Sequence, residues 1–314
     1  MKYKKLGKTG ISISSIGIGA WQLGGPLVLD GVHDGHPDPG RDNVIKMIHE
    51  LGEHGVNFID TAEQYSHGES ERRIGEAIKS QRDRWVISTK FGHKVGEGNR
   101  RHIDTSPQSI MPALEDSLRR LQTDYIDVYH YHTIPDLEHL DESAEILNEA
   151  KKKGMIRALG ISTSNTAIVK ELIKRDMLDV VQYVSSLLAP AYEMQELINS
   201  NSLGAICRGV MAGGCLSGRY FHSKLEVKTG DRRSWGDEDY SRFQVFEKLI
   251  PEDMTMAQLA CRFVLDQKAC QTIILGAKNL KDYEIAIESV FKEALSKELK
   301  LKLSEVSKEL GFLG

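Results

Sequence analysis

Eight short apolar segments, each followed by a stretch of helical periodicity, run through the 314 residues with no linker between them. A β-prone opening centred on a Gly-rich turn precedes them. Together these features predict an α/β fold: a closed (β/α)8 TIM barrel, with an N-terminal hairpin closing the bottom and long loops at the C-terminal face. Short all-apolar strands signal a parallel sheet covered on both sides. Eight units in about 300 residues close a barrel rather than leave a sheet open. Residues 1–314 read as a single domain.

Each element has its own signal. The hairpin covers residues 3–13, around Gly7-Lys8-Thr9-Gly10. The first buried strand, 15–19, leads into Ala20-Trp21. Residues 26–40 are rich in Gly, Asp, His and Pro and read as a solvated loop, His33 and His36 included. Val44, Ile45, Met47, Ile48 and Leu51 then recur at helical spacing, and Gly55 ends that helix. A strand from Val56 ends in Asp60, and a helix follows at 69–79. Strand 85–91 precedes helix 106–121, which has Pro107 in its first turn and Ser106 as the expected cap. The alternation continues as strand 125–132, helix 141–153, strand 155–161, helix 165–175, strand 179–184, helix 193–201 and strand 204–208. A long polar loop runs to Met254. Helix 255–267, strand 270–275, helix 279–291 and a charged helix at 296–310 complete the order.

Composition narrows the function classes. A net charge of −4, from 41 basic and 45 acidic residues, lacks the basic surface that non-specific nucleic-acid binding needs. Cys207, Cys215, Cys261 and Cys270 form no CxxC pair and read as free thiols of a reduced cytosol. The start, Met1-Lys2-Tyr3-Lys4-Lys5, has no apolar leader, and no run approaches about 18 apolar residues. A cytoplasmic protein is expected, free of membrane.

In a barrel of this kind, chemistry sits at the C-terminal ends of the strands. Asp60, Lys90 and His132 fall there, and Tyr65 stands five residues beyond Asp60. A lysine ending a buried strand needs a counter-charge, and Asp60 is the natural one. A Tyr hydroxyl, with an ordinary pKa of about 10, becomes a useful proton donor when a cation lies beside it. His130 and His132 share one strand face, but strands five to eight contain no further His, so no metal site is expected. Lys90 held by Asp60, Tyr65 giving a proton to a carbonyl oxygen and His132 orienting that carbonyl make a consistent set. No side chain supplies hydride, which implies a nicotinamide cofactor.

The chain thereby resembles the aldo-keto reductase family. The likeness is carried by Gly17-Ile18-Gly19-Ala20-Trp21, Asp60-Thr61-Ala62 with Tyr65, Ser88-Thr89-Lys90, the segment from Asp127 to His132, Gly160-Ile161-Ser162, Gln182 and Gly276-Ala277-Lys278-Asn279. It implies a catalytic tetrad of Asp60, Tyr65, Lys90 and His132. It also implies a cofactor groove. Gly19, Ala20 and Trp21 would line it at the first strand, and Ser162, Thr163 and Gln182 would hold the carboxamide. Arg208, Met211, Ala212, Leu216 and Gly218 would follow the pyrophosphate. Gly276, Ala277, Lys278, Asn279 and Asp282 would meet the adenosine end.

Several positions depart from the family pattern. Thr163 replaces an Asn, and Ser185 stands where an aromatic ring usually stacks on the nicotinamide, leaving Tyr183 or Trp21 to do so. Asp282 would repel a 2′-phosphate while Lys278 attracts one. NADP(H) is favoured, with NAD(H) as the alternative. The expected activity is reduction of an aldehyde or ketone, with a sugar or sugar derivative among the candidates. Residues 26–40, 92–105 and 219–254 would set the substrate; Arg232, Arg233, Trp235, Tyr240, Arg242 and Phe243 of the last suit a hydroxylated or anionic one. A non-catalytic nicotinamide-binding regulatory subunit is the rival reading.

Overall fold

The computed structural model describes residues 1–222 and 240–312. In chain order these form β1 (Tyr3–Lys5), β2 (Ser12–Ser14), β3 (Ile16–Gly19), β4 (Val28–Leu29), β5 (Val32–His33), α1 (Arg41–Glu53), β6 (Phe58–Asp60) and α2 (Glu69–Ile78). Next come β7 (Val86–Phe91), β8 (His93–Val95), β9 (Arg101–Ile103), α3 (Pro107–Leu121), β10 (Ile126–Tyr131), α4 (Leu140–Lys152), β11 (Ile156–Ser162) and α5 (Thr166–Lys174). The remainder are β12 (Val180–Val184), α6 (Tyr192–Ser200), β13 (Gly204–Arg208), α7 (Met256–Leu265), β14 (Thr272–Leu275), α8 (Leu280–Ser289) and α9 (Lys297–Glu309).

The strands β3, β6, β7, β10, β11, β12, β13 and β14 pair in parallel and in sequence, and β14 returns to β3 to close the barrel. This is the fold the alternation predicts. Two apolar compartments follow from the period-two alternation of each strand. Phe58, Val86, Val128, Ala158, Val180, Ile206 and Ile274 point inward, and Leu6, Ile11 and Ile13 join them from the β1–β2 hairpin. The hairpin thus plugs the lower end of the barrel. Its turn leaves no room for a side chain: Gly7 has φ +52°, and a Cβ there would lie 2.3 Å from the Gly204 nitrogen. The opposite strand faces pack against the helices in a larger outer core that includes Tyr129, Tyr183 and Cys207.

Because 58, 86, 128, 180 and 206 point inward, so do the residues two further along at the upper end: Asp60, Lys90 through Ser88, His130, Gln182 and Arg208. The fold places chemistry-bearing side chains in one ring above an apolar floor. His130 is fully buried, and burial pushes its imidazole down to about 3, so it stays neutral. Gly160 is required beside it, since a Cβ there would come 2.2 Å from His130 Nδ1.

Three local expectations change. Residues 26–40 and 92–105 are not plain loops: each contains a short antiparallel hairpin, β4–β5 and β8–β9. Strands of two or three residues are too short to show alternation in sequence. His36 is not solvated; it is buried with its ring edge against Trp21, centroids 5.4 Å apart. Ser106 begins α3 but does not cap it, because its hydroxyl donates to Asp104 Oδ1 at 2.6 Å. Of the substrate-loop candidates, Arg232, Arg233 and Trp235 lie outside the described residues. Phe243 is fully buried within the 3-10 segment Tyr240–Leu249. Among the described residues no helix is long and apolar enough to cross a membrane.

Candidate active site

Lys90 is the centre of the barrel mouth. Its side chain is 1% exposed, and all three ammonium donors are used. One goes to Asp60 Oδ2 at 2.6 Å, one to the Thr61 carbonyl at 2.7 Å and one to Tyr65 Oη at 3.3 Å. Burial works against the ammonium, but Asp60 and Tyr65 outweigh it and the Lys90 pKa stands above the ordinary value. Lys90 therefore stays a cation through the neutral range, pressed against the Tyr65 oxygen. Since Lys90 donates to that oxygen, the phenol's own proton is directed elsewhere.

Asp60 is held on its other oxygen. Oδ1 accepts from Ser88 Oγ at 2.8 Å and from Gln182 Nε2 at 2.7 Å. Ser162 Oγ donates in turn to Gln182 Oε1 at 2.9 Å. The residues expected at the carboxamide are thus joined by direct bonds to the carboxylate that holds Lys90. His132, one residue beyond β10, faces Tyr65 edge to face with centroids 5.8 Å apart. Burial, then the charge of Lys90 and the neighbouring His93 and Arg208, hold its imidazole well below the usual histidine range. The ring is neutral, and it can donate one N–H without changing charge. The four expected catalytic residues therefore converge on one spot.

The expected cofactor positions all lie on the same rim. Gly19 ends β3, and Ala20 and Trp21 open a 3-10 turn after it. Arg208 ends β13, Met211 to Gly218 form the turn beyond, and Gly276 to Asp282 connect β14 to α8. Ala20 and Leu216 are fully buried and so shape the groove from behind. Thr163 spends its hydroxyl locally, accepting from the Asn165 nitrogen at 3.1 Å. Tyr183 cannot stack on a nicotinamide: it points outward into the core and is fully buried. Trp21 instead lies stacked on Tyr65, centroids 6.0 Å apart. Asn279 caps α8, its side chain accepting from the Asp282 nitrogen at 3.0 Å. Asp282 is not a free acid, because Arg219 pairs with it through both terminal nitrogens.

These residues fit a dinucleotide. Arg208 stands at the mouth unpaired by any described carboxylate, and its Nε is buried without a hydrogen-bond partner. The N-terminus of α8 favours an anion. No cluster of His, Cys, Asp or Glu able to hold a metal occurs among the described residues.

Sequence reasoning missed the walls of the site. His93 stacks on His132 with centroids 4.8 Å apart. Gln64 Nε2 donates to Asp34 Oδ2 at 2.8 Å, and Arg101 pairs with the same oxygen at 3.0 Å. Trp21 Nε1 donates to the Asp34 carbonyl at 3.1 Å. The hairpins β4–β5 and β8–β9 are thereby tied to each other and to both catalytic rings. The nearness of His93 and Gln64 to Lys90 and Tyr65 in sequence was the only available signal.

A buried Lys–Asp pair facing a tyrosine and a neutral histidine, at the mouth of a parallel barrel, defines an oxidoreductase acting on carbonyls. The profile of the aldo/keto reductase family matches residues 15–306, and the chain belongs to that family. Members use nicotinamide cofactors. The chain is 30% identical over 308 residues to the NADH-specific methylglyoxal reductase of Escherichia coli K12, covering 88% of this chain and 90% of that one. The glycerol dehydrogenase AKR11B4 of Gluconobacter oxydans superposes with a TM-score of 0.82 at 27% identity, covering 98% and 95%. The holo form of aldo-keto reductase AKR11C1 from Bacillus halodurans gives 0.81 at 28%, covering 98% and 96%.

Proposed function

We propose that this chain reduces a small, oxygen-rich aldehyde or ketone to the alcohol, with Tyr65 as proton donor and NADPH as the favoured cofactor. The observation that carries this is Lys90 Nζ, shared between Asp60 Oδ2 and Tyr65 Oη. A bound reduced nicotinamide supplies the hydride. As negative charge develops on the carbonyl oxygen, Tyr65 releases its proton to it, and the phenolate left behind is stabilised by Lys90. Asp60 keeps Lys90 in place and charged. His132 donates a hydrogen bond to the same oxygen and fixes its direction. Ser162 and Gln182 would hold the carboxamide, and Arg208 with the 211–218 turn would meet the pyrophosphate.

Lys278 supports NADPH, and Arg219 neutralises Asp282, the acidic residue expected to oppose a 2′-phosphate. The relatives act on methylglyoxal and glycerol, both small and oxygen-rich, which supports a polar substrate such as a sugar derivative.

Tyr65→Phe tests the assignment. Turnover should fall by about 10²–10⁴ while cofactor affinity, measured by fluorescence titration, stays within about twofold. Undiminished turnover would remove Tyr65 from the mechanism.

A further inference from the structure

Hydrogen bonds continue the seam between β6 and β7 past Asp60, and the last of them changes character. The Thr61 nitrogen donates to the Ser88 carbonyl at 2.8 Å, and the Glu63 nitrogen donates to the Lys90 carbonyl at 3.1 Å. In a parallel ladder the next donor, the Gly92 nitrogen, would meet the carbonyl of residue 63. It meets the Glu63 side chain, whose Oε1 accepts at 2.8 Å. The chain is already turning here, with the Tyr65 nitrogen donating back to the Ala62 carbonyl at 3.1 Å, and the carboxyl stands in for the backbone oxygen.

Gly92 is the point where β7 gives way to the β8–β9 hairpin. Its φ of +95° favours glycine, and a Cβ there would lie 2.7 Å from Thr105 Cγ2. One residue earlier, the Phe91 carbonyl accepts from the His132 nitrogen at 2.8 Å. One residue later, His93 stacks its ring on that of His132. Glu63 therefore joins the turn that carries Tyr65 to the strand end that carries Lys90 and seats His132.

A neutral glutamine could accept the same bond, so the acid needs its own explanation. Glu63 is 7% exposed and has no cation to itself. Arg120 of α3 is committed to Glu71 of α2, Nε to Oε2 at 2.6 Å, and Thr89 Oγ1 donates to the other Glu71 oxygen at 2.6 Å. The groups facing Glu63 are Lys94 from β8, Glu71 from α2, Arg120 from α3 and the Tyr129 phenol from β10. Burial pushes the Glu63 carboxyl up to about 7, Glu71 adds to the rise, and Lys94, the Gly92 N–H and Arg120 oppose it. What the charge supplies is grip, because a carboxylate accepts from an N–H more strongly than a neutral oxygen does.

We propose that Glu63 is a positioning residue of the reaction: its carboxylate grips the Gly92 N–H, and that grip fixes Tyr65 against Lys90 and His132. Glu63 lies among groups of α2 and α3, and it acts through the two chain segments it joins. The inference rests on the reductase reading and adds a residue to it.

The test compares the native protein with Glu63→Gln, which keeps an acceptor without charge, and Glu63→Leu, which has no acceptor. For each, kcat and KM with methylglyoxal and with glyceraldehyde, and the NADPH dissociation constant, are measured from pH 5.5 to 8.5. Hydrogen exchange of residues 91–95 is followed by mass spectrometry on the same proteins. At pH 8 Glu63→Leu should lose at least about tenfold in kcat while its NADPH dissociation constant stays within about twofold. Native kcat/KM should rise about threefold as pH passes through about 7 and the charge forms; Glu63→Gln should restore most of the kcat lost in Glu63→Leu and lack that rise. Exchange at 91–95 should be at least about tenfold faster in Glu63→Leu than in the native protein at the same pH. A kcat in Glu63→Leu within about twofold of native would overturn the inference. So would a rise near pH 7 that persists in Glu63→Gln, or equal losses in both variants at every pH, which would leave Glu63 a purely structural residue. Failure of the native protein to oxidise NADPH or NADH with either aldehyde would defeat the reductase reading; unchanged exchange in Glu63→Leu would separately show that the carboxyl does not grip Gly92.

Discussion

Glu63 is a carboxylic acid that the fold holds out of water three residues beyond Asp60. It is 7% exposed, and its Oε1 accepts from the Gly92 nitrogen at 2.8 Å, pinning the entry to β8. Burial pushes its carboxyl from 4.5 up to about 7, against the opposing pull of Lys94 and of the Gly92 N–H. The folded state therefore binds this proton more tightly than the unfolded chain. Stability is unaffected below the ordinary pKa, falls as pH rises from about 4.5 to about 7, and is level above that. A gap of some 2.5 units, at about 1.36 kcal/mol each, amounts to roughly 3 kcal/mol. Glu63→Gln keeps an acceptor for Gly92 and removes the charge. At pH 8 it should be more stable than the native protein by roughly 3 kcal/mol, or about 4 °C in Tm for a chain of this length. At pH 4.5 the two should melt together. Thermal melting across pH 4.5–8 is the assay, and parallel curves for the two proteins would refute the argument.

Two further predictions concern charge pairs. Asp60→Asn strands the buried Lys90 cation, which should cost about 3–5 kcal/mol by melting and lower kcat/KM at least about a hundredfold. In the native protein the raised Lys90 pKa gives stability that is present below the ordinary 10.5 and lost only as pH climbs past the folded value. In the variant only Tyr65 is left to oppose burial, so the alkaline limb of the pH–rate profile should move to lower pH; an unmoved limb would show that Asp60 does not hold the Lys90 charge. Asp282→Asn releases Arg219, and the ratio of NADH to NADPH dissociation constants should rise about tenfold in a fluorescence titration. An unchanged ratio would separate the Arg219–Asp282 pair from cofactor choice.

The barrel and the catalytic cluster were legible in sequence because both are local. Each barrel strand is short and mostly apolar, and Asp60, Lys90 and His132 stand at or next to the ends of such strands. The same alternation that aims Gln182 inward turns Tyr183 outward, so the sequence pattern by itself excludes Tyr183 as a stacking ring. The walls of the site were not available. Asp34 meets Arg101 across 67 residues, and Arg219 meets Asp282 across 63. Such pairs form only once the barrel has brought separate loops to one rim. His36 looked solvated for the same reason: its Gly- and Pro-rich neighbours describe a loop, while its burial depends on Trp21 lying beneath it.

One carboxylate joins what the sequence presents as two separate sets of residues. Asp60 gives one oxygen to Lys90 and the other to Ser88 and Gln182. Its charge is thus divided between the proton-delivering side of the mouth and the side where Ser162 and Gln182 would meet the cofactor. Lys90 in turn reaches Tyr65 Oη at 3.3 Å, so an unbroken chain of hydrogen bonds runs from Ser162 through Gln182, Asp60 and Lys90 to the phenol. Thr163 and Ser185, the positions that depart from the family pattern, bond elsewhere, to the Asn165 nitrogen and to Gln267 Oε1, and so lie outside that chain.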